Sequence, residues 1–190
     1  IDSTAIAHLS PLQTHYVDGP VTLTNNGHTI QAGEQANTRD TLTLDKQTWT
    51  LQQFHFHAPS ENTVHGKRYA MEMHLVHKNA SGELTVVAVM FDKGTANPEL
   101  EKLWRVMPQQ AEQNVSIKQD LNLNKLLPKN KTYWRFSGSL TTPPCSEGVT
   151  WIVLKQPLTI SAEQLARFTQ TMHHDNNRPV QSLHGRVVVE

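Results

Sequence analysis

The chain has 190 residues, 37% of them apolar, with 17 basic side chains against 17 acidic ones. That length suits one domain with a sizeable core, and no apolar run is long enough to span a bilayer. Balanced charge without a basic stripe argues against nucleic acid or an anionic membrane as partner, since phosphate binding needs clustered positive charge, and favours a small or neutral ligand.

No low-complexity stretch, repeat or linker divides the chain, so residues 1–190 are expected to form a single domain. Ile1 opens it without an initiator Met or a signal peptide, as in a mature, processed or truncated product. Thr22-Leu23-Thr24 predicts a strand that runs into Asn25-Asn26-Gly27-His28, a turn whose Asn and Gly tolerate positive φ. Thr41–Leu44 and Thr48–Leu51 alternate polar and apolar around Asp45-Lys46-Gln47, the pattern of a hairpin. Strand character continues from Gln52 to His57. Residues 70–78 and 84–91 predict two more strands joined through Asn79-Ala80-Ser81-Gly82. Val86–Phe91 is apolar on both faces, as in a central strand. Asn97-Pro98 supplies an N-cap and a proline at the first helical position for a helix through Trp104. Ser161 with Gln164 makes a capping box before Leu165, Phe168 and Met172 at helical spacing. The fold class predicted is mostly β, a β-dominated α/β mixture with few helices.

Eleven histidines are a rich supply, and the single cysteine, Cys145, allows neither an intrachain disulfide nor a Cys-rich zinc site. In Gln52–His57 the side-chain period of two puts Gln53, His55 and His57 on one face and Phe54 and Phe56 on the other. Glu72, His74 and Val76 share a face of the later strand. If the two strands pair, three imidazoles converge with a carboxylate and an amide beside them. Three neutral imidazoles preserve the charge of Zn²⁺ and leave a fourth position open for water, whose pKa then falls to roughly 7. Gln53 and Glu72 stand two residues from ligands, where outer partners fix a ring's tautomer. Solvation alone explains many strand histidines, and others are set aside here: His65 in an exposed hairpin loop, His77 on the sheet face opposite His74. His55–Glu61 also has the His-x-His-x3-Glu spacing of cupins, which bind iron or manganese. The glycine that pattern needs after the glutamate is Arg68, and its Pro-x-Gly before a last histidine is missing.

Beyond these residues the chain resembles the α-class carbonic anhydrases, their bacterial branch in particular. The resemblance runs through Asn26-Gly27-His28, Gln53–His57, Ser60-Glu61-Asn62, Met71–His77, Gly138–Cys145, Val149–Lys155 and Asn176–Gln181. It implies one domain around a large, twisted, mainly antiparallel sheet with a few short helices. It also implies reversible hydration of carbon dioxide to bicarbonate and a proton, a hydro-lyase reaction driven by attack of zinc hydroxide. The zinc, one per chain, falls on His55, His57 and His74. Thr141 and Glu61 match the pair that orients the nucleophile, and His28 matches the proton shuttle, as suits an imidazole titrating near neutrality. Gln53, Glu72 and the backbone carbonyl of Asn176 match the ligands' outer partners. Val76, Val86, Leu140, Thr142, Val149 and Trp151 match the substrate pocket. A periplasmic or secreted location is implied, with no membrane or nucleic-acid partner; a homodimer is allowed. Bacterial relatives carry a few dozen residues before the position of Ile1, with a cysteine that pairs with the one matching Cys145. The resemblance therefore implies that this segment is missing here, and the unpaired Cys145 favours loss over natural absence. Asn177 stands where animal members commonly have tryptophan.

Overall fold

In the computed structural model, which describes residues 1–33 and 39–190, period-two patterning produces strands that pair into one large sheet. β1 (Gln13–His15), β2 (Gly19–Asn25), β3 (Ile30–Gly33), β4 (Thr41–Leu44) and β5 (Gln47–His57) come first. A separate ribbon of β6 (Thr63–Val64) and β7 (Lys67–Arg68) follows. Then come β8 (Met71–Lys78), β9 (Leu84–Lys93), β10 (Gln113–Leu121), β11 (Tyr133–Ser139), β12 (Glu147–Leu154) and β13 (Leu158–Ile160), with helices α1 (Pro98–Trp104) and α2 (Ala162–Met172). Across the sheet the order is β10-β2-β3-β5-β8-β9-β12-β11, with β4 also on β5, β1 on β4, and β13 beside β9. β9 pairs in parallel with β12 and β13; the other named pairs are antiparallel. The fold is the mainly antiparallel, β-dominated class expected.

Local chemistry sets the element ends. Asp45 and Lys46 take φ of 51° and 62°, and Leu44 pairs with Gln47, so the first hairpin turns on two residues and Gln47 already belongs to β5. Asn97 Oδ1 accepts the N–H groups of Glu99 at 3.2 Å and Leu100 at 3.0 Å, capping α1. Ser161 Oγ accepts the Gln164 N–H at 3.1 Å while Gln164 Oε1 accepts the Ser161 N–H at 3.3 Å, the reciprocal pair that opens α2. Gln164 Nε2 also donates to Asn97 O at 3.0 Å, so the two helix starts are tied together.

The sheet has two apolar faces. Phe54, Phe56, Met73, Leu75, Val87 and Val89 pack against the helices, where the Phe56 ring lies 5.0 Å from Trp104 and 6.3 Å from Phe168. Removing a buried ring of this kind costs about 3–5 kcal/mol, enough to fix which way β5 faces. Gln53, His55 and His57 are thereby committed to the other face, where Val76, Val86, Ala88, Val149, Trp151 and Val153 form a second cluster.

Candidate metal centre

Register brings the histidines together. His55 on β5 is paired directly with His74 on β8, and His57 follows two residues on. Ring centroids are 5.1 Å apart for His55 and His57, 5.3 Å for His55 and His74, and 4.7 Å for His57 and His74. One ligand nitrogen from each lies within 4.8 Å of the others.

Each ring has its outward nitrogen engaged. His55 Nδ1 donates to Gln53 Oε1 at 2.7 Å, and His57 Nδ1 donates to the backbone carbonyl of Asn176 at 2.9 Å. His74 Nε2 lies 2.9 Å from Glu72 Oε1, a close contact with the N–H axis off the oxygen. These contacts place the ring protons outward and leave His55 Nε2, His57 Nε2 and His74 Nδ1 as inward lone pairs. Among the described residues, His57 Nε2 is buried without a hydrogen-bond partner. Three neutral nitrogens with an orphaned buried acceptor are a donor set that fits Zn²⁺.

Electrostatics divides the three. Burial first, then the imidazoles of His74 and His57, hold His55 well below the ordinary histidine range. Burial and His74 also lower His57, against the carboxylates of Glu61 and Glu72 and the Asn176 hydrogen bond. His74 is desolvated too, but Glu72 and Glu61 outweigh that and raise it. Burial alone would raise Glu72; His74 and the hydrogen bonds from Asn62 bring it down to about 2. Asn62, to which sequence reasoning gave no role, donates from its backbone N at 2.8 Å and from Nδ2 at 2.6 Å.

Glu61 and Thr141 are brought to one cleft of about 900 Å³ but are not hydrogen-bonded to each other among the described residues. Glu61 Oε2 accepts the Arg178 N–H at 2.6 Å. Its Oε1 is buried without a hydrogen bond, 3.3 Å from His57 Nε2 and 3.8 Å from His74 Nδ1. The carboxylate thus faces the imidazoles, and among the described residues no hydrogen bond joins it to Thr141.

A second cavity of about 200 Å³ opens over the histidines, lined by His28, His55, His74, Val76, Val86, Leu140, Thr141, Thr142 and Trp151 among others. Its apolar side follows from register: Gln53 pairs with Val76, Val76 with Val86, and Val86 with Trp151. That row is two residues from the His55–His74 row on the same face, so the apolar wall abuts the ligands. Val149 belongs to the same apolar cluster as this wall but is not among the residues that line the cavity. His28 is exposed at the cavity, and Asn176 Nδ2 donates to its carbonyl at 3.0 Å. His65 sits exposed in the β6–β7 turn with φ of 48°, and His77 is buried on the helix side, both away from the cluster. Cys145 is free and half-buried.

Residues 2–190 match the family model for eukaryotic-type carbonic anhydrase. The chain is 70% identical to a carbonic anhydrase of Klebsiella pneumoniae over 190 residues, covering 100% of this chain and 77% of the relative. Against that of Pectobacterium carotovorum it is 50% identical over 183 residues, covering 96% and 74%. Among solved structures, the α-carbonic anhydrase of Thermovibrio ammonificans, in complex with the inhibitor sulfanilamide, superposes with a TM-score of 0.95 at 49% identity, covering 100% of this chain and 82% of that one. The His-x-His-x3-Glu spacing of His55–Glu61 lies within the residues matched by that family model.

Proposed function

This chain belongs to the eukaryotic-type, or α, carbonic anhydrases, and on that premise we propose that it catalyses the zinc-dependent, reversible hydration of carbon dioxide to bicarbonate and a proton. The observation that carries this is the convergence of His55, His57 and His74, each with one nitrogen engaged outward and one lone pair facing in. When bound there, Zn²⁺ supplies a water whose pKa is lowered to about 7, hence a nucleophile at neutral pH.

The remaining chemistry belongs to the protein's own groups. Gln53, Glu72 and the Asn176 carbonyl keep the ring protons outward, so that all three histidines bind as neutral ligands. Val76, Val86, Leu140 and Trp151 offer carbon dioxide an apolar wall beside the ligands, with Val149 packed in the same cluster and Thr142 also lining the cavity. Thr141 and Glu61, which share one cleft, orient the attacking oxygen: with Glu61 turned to accept a hydrogen bond from the Thr141 hydroxyl, that hydroxyl is free to accept one in turn. His28, at the exposed end of the cavity, takes the released proton to buffer. Zinc at one per chain, a single domain over 1–190 and a periplasmic or secreted location belong to the same proposal. Among the described residues no helix is long and apolar enough to cross a membrane.

Stopped-flow hydration with and without a zinc chelator tests this. Expected is rapid hydration that chelation abolishes and added zinc restores, with one zinc per chain by metal analysis. Activity that survives complete zinc removal would refute it.

A further inference from the structure

We infer that the side chain of Asn176 is a positioning residue for proton transfer, locking the turn that carries His28 to the end of the strand that carries His57. This rests on His28 being the proton carrier, as proposed above.

One residue here joins three segments far apart in the chain. The Asn176 carbonyl accepts from His57 Nδ1 at 2.9 Å. Its Oδ1 accepts the Ala58 N–H at 2.8 Å. Its Nδ2 donates twice, to Phe56 O at 2.9 Å and to His28 O at 3.0 Å, the second across 148 residues of sequence. Every polar position of the amide faces a partner of the right kind. Rotating it by half a turn would set an oxygen against two carbonyls and an NH₂ against an N–H, so its orientation follows from the network. Asp has no donors for the two carbonyls, and Ser has too few.

Among the described residues, His28 is held by its backbone alone. Its N–H donates to Asn26 Oδ1 at 2.9 Å, its carbonyl is held by Asn176, and its ring is exposed. A carrier that takes a proton on one side and releases it on the other needs this division: a fixed Cα and a free ring. The next residue repeats the tie, for Thr29 Oγ1 donates to the same Phe56 carbonyl at 2.5 Å and accepts the Phe56 N–H at 3.2 Å. The Asn176 side chain thus couples the distance between His28 and the ligand cluster to the same residue that fixes the His57 tautomer. Any substitution at 176 keeps the backbone carbonyl, so the two roles can be separated.

The test uses the zinc-loaded protein and the variants Asn176→Asp and Asn176→Ala, each alone and combined with His28→Ala. Amide hydrogen exchange should accelerate at residues 26–29. In dilute buffer kcat should fall about tenfold, less than the 10²–10⁴ that a positioned acid–base group contributes, and by several times more than kcat/KM. Imidazole in solution should restore most of the loss. In the His28→Ala background, Asn176→Asp should bring no further fall in kcat. An equal loss of kcat and kcat/KM, the same loss with or without His28, or unchanged exchange at 26–29 would each overturn the inference. Parental kcat in His28→Ala itself would overturn it at its premise, and the exchange data separate that failure from failure of the tie. If both Asn176 variants misfold, Thr29→Val releases the same turn from the other end, and the same pattern is required of it.

Discussion

Glu72 Oε2 accepts the backbone N–H of Glu61 at 2.7 Å, so one buried carboxylate sets the position of another. The first faces His74, and the second faces His57 and His74. Glu72→Gln keeps the volume, removes the charge beside His74, and sets an NH₂ either against the backbone N–H groups of Glu61 and Asn62 or against His74 Nε2 and Asn62 Nδ2. Zinc affinity should drop by about 10–100-fold, read by competition with a chelator, and the melting temperature should fall with it. Parental affinity would mean that Glu72 only props the Ser60–Asn62 loop.

Thr141→Ala should retain stoichiometric zinc, because the hydroxyl is no ligand. Turnover should fall by about 10², the loss seen when one positioned polar group is removed. An unchanged rate would make Thr141 a purely structural loop residue, in keeping with its lack of a hydrogen bond to Glu61.

His28→Ala should lower kcat in dilute buffer with little change in kcat/KM, since only regeneration of the nucleophile is slowed. A small diffusible base such as imidazole should recover much of the loss. Identical rates for variant and parent at every buffer concentration would leave His28 a turn residue.

His77 governs a separate pH response. Its Nδ1 donates to Leu75 O at 2.9 Å and its Nε2 accepts the Tyr16 hydroxyl at 2.6 Å, both inside the core. Burial, partly offset by backbone hydrogen bonds at Leu75 and Thr85, lowers it to about 4 from 6.5. Burial and the charge of Asp40 raise Tyr16, so the pair stays neutral when folded. The unfolded chain takes up the His77 proton near pH 6.5. The contribution to stability is therefore complete above that pH and is lost as pH falls from 6.5 to about 4. One proton corresponds to a slope of up to about 1.4 kcal/mol per pH unit. Denaturant titrations of parent and His77→Gln across this window should differ by a slope approaching that value; parallel curves would contradict it.

Sequence pattern carried furthest where a side chain's direction depends on its neighbours in the chain. Strand period two separated His55 and His57 from Phe54 and Phe56, and an odd spacing sent His77 to the face opposite His74. Asn97-Pro98 and Ser161 with Gln164 marked helix starts because capping is local chemistry. β10 went unseen: most of its residues are exposed and polar, leaving no apolar alternation to read, because an edge strand covers little. Partners supplied from afar were beyond periodicity as well. The Asn176 carbonyl reaches His57 across 119 residues, and only the family resemblance pointed to it. The side chains of Asn176 and Asn62 were missed because a lone asparagine carries no pattern. The pairing of Thr141 with Glu61 was expected, and the structure instead turns Glu61 toward the imidazoles.

The reach from His57 to Asn176 also bears on how the protein comes to exist. β5 must wait for β8 before His55 meets His74, and His57 must wait for a segment beyond α2 before its outer nitrogen is held. Topologies dominated by such distant pairings fold slowly, because loop-closure entropy is lost before the contacts return anything. A competent set of three nitrogens is consequently a late product of folding. Metal capture by a refolding chain should lag behind helix formation, so the centre reports on completion of the sheet and does not nucleate it.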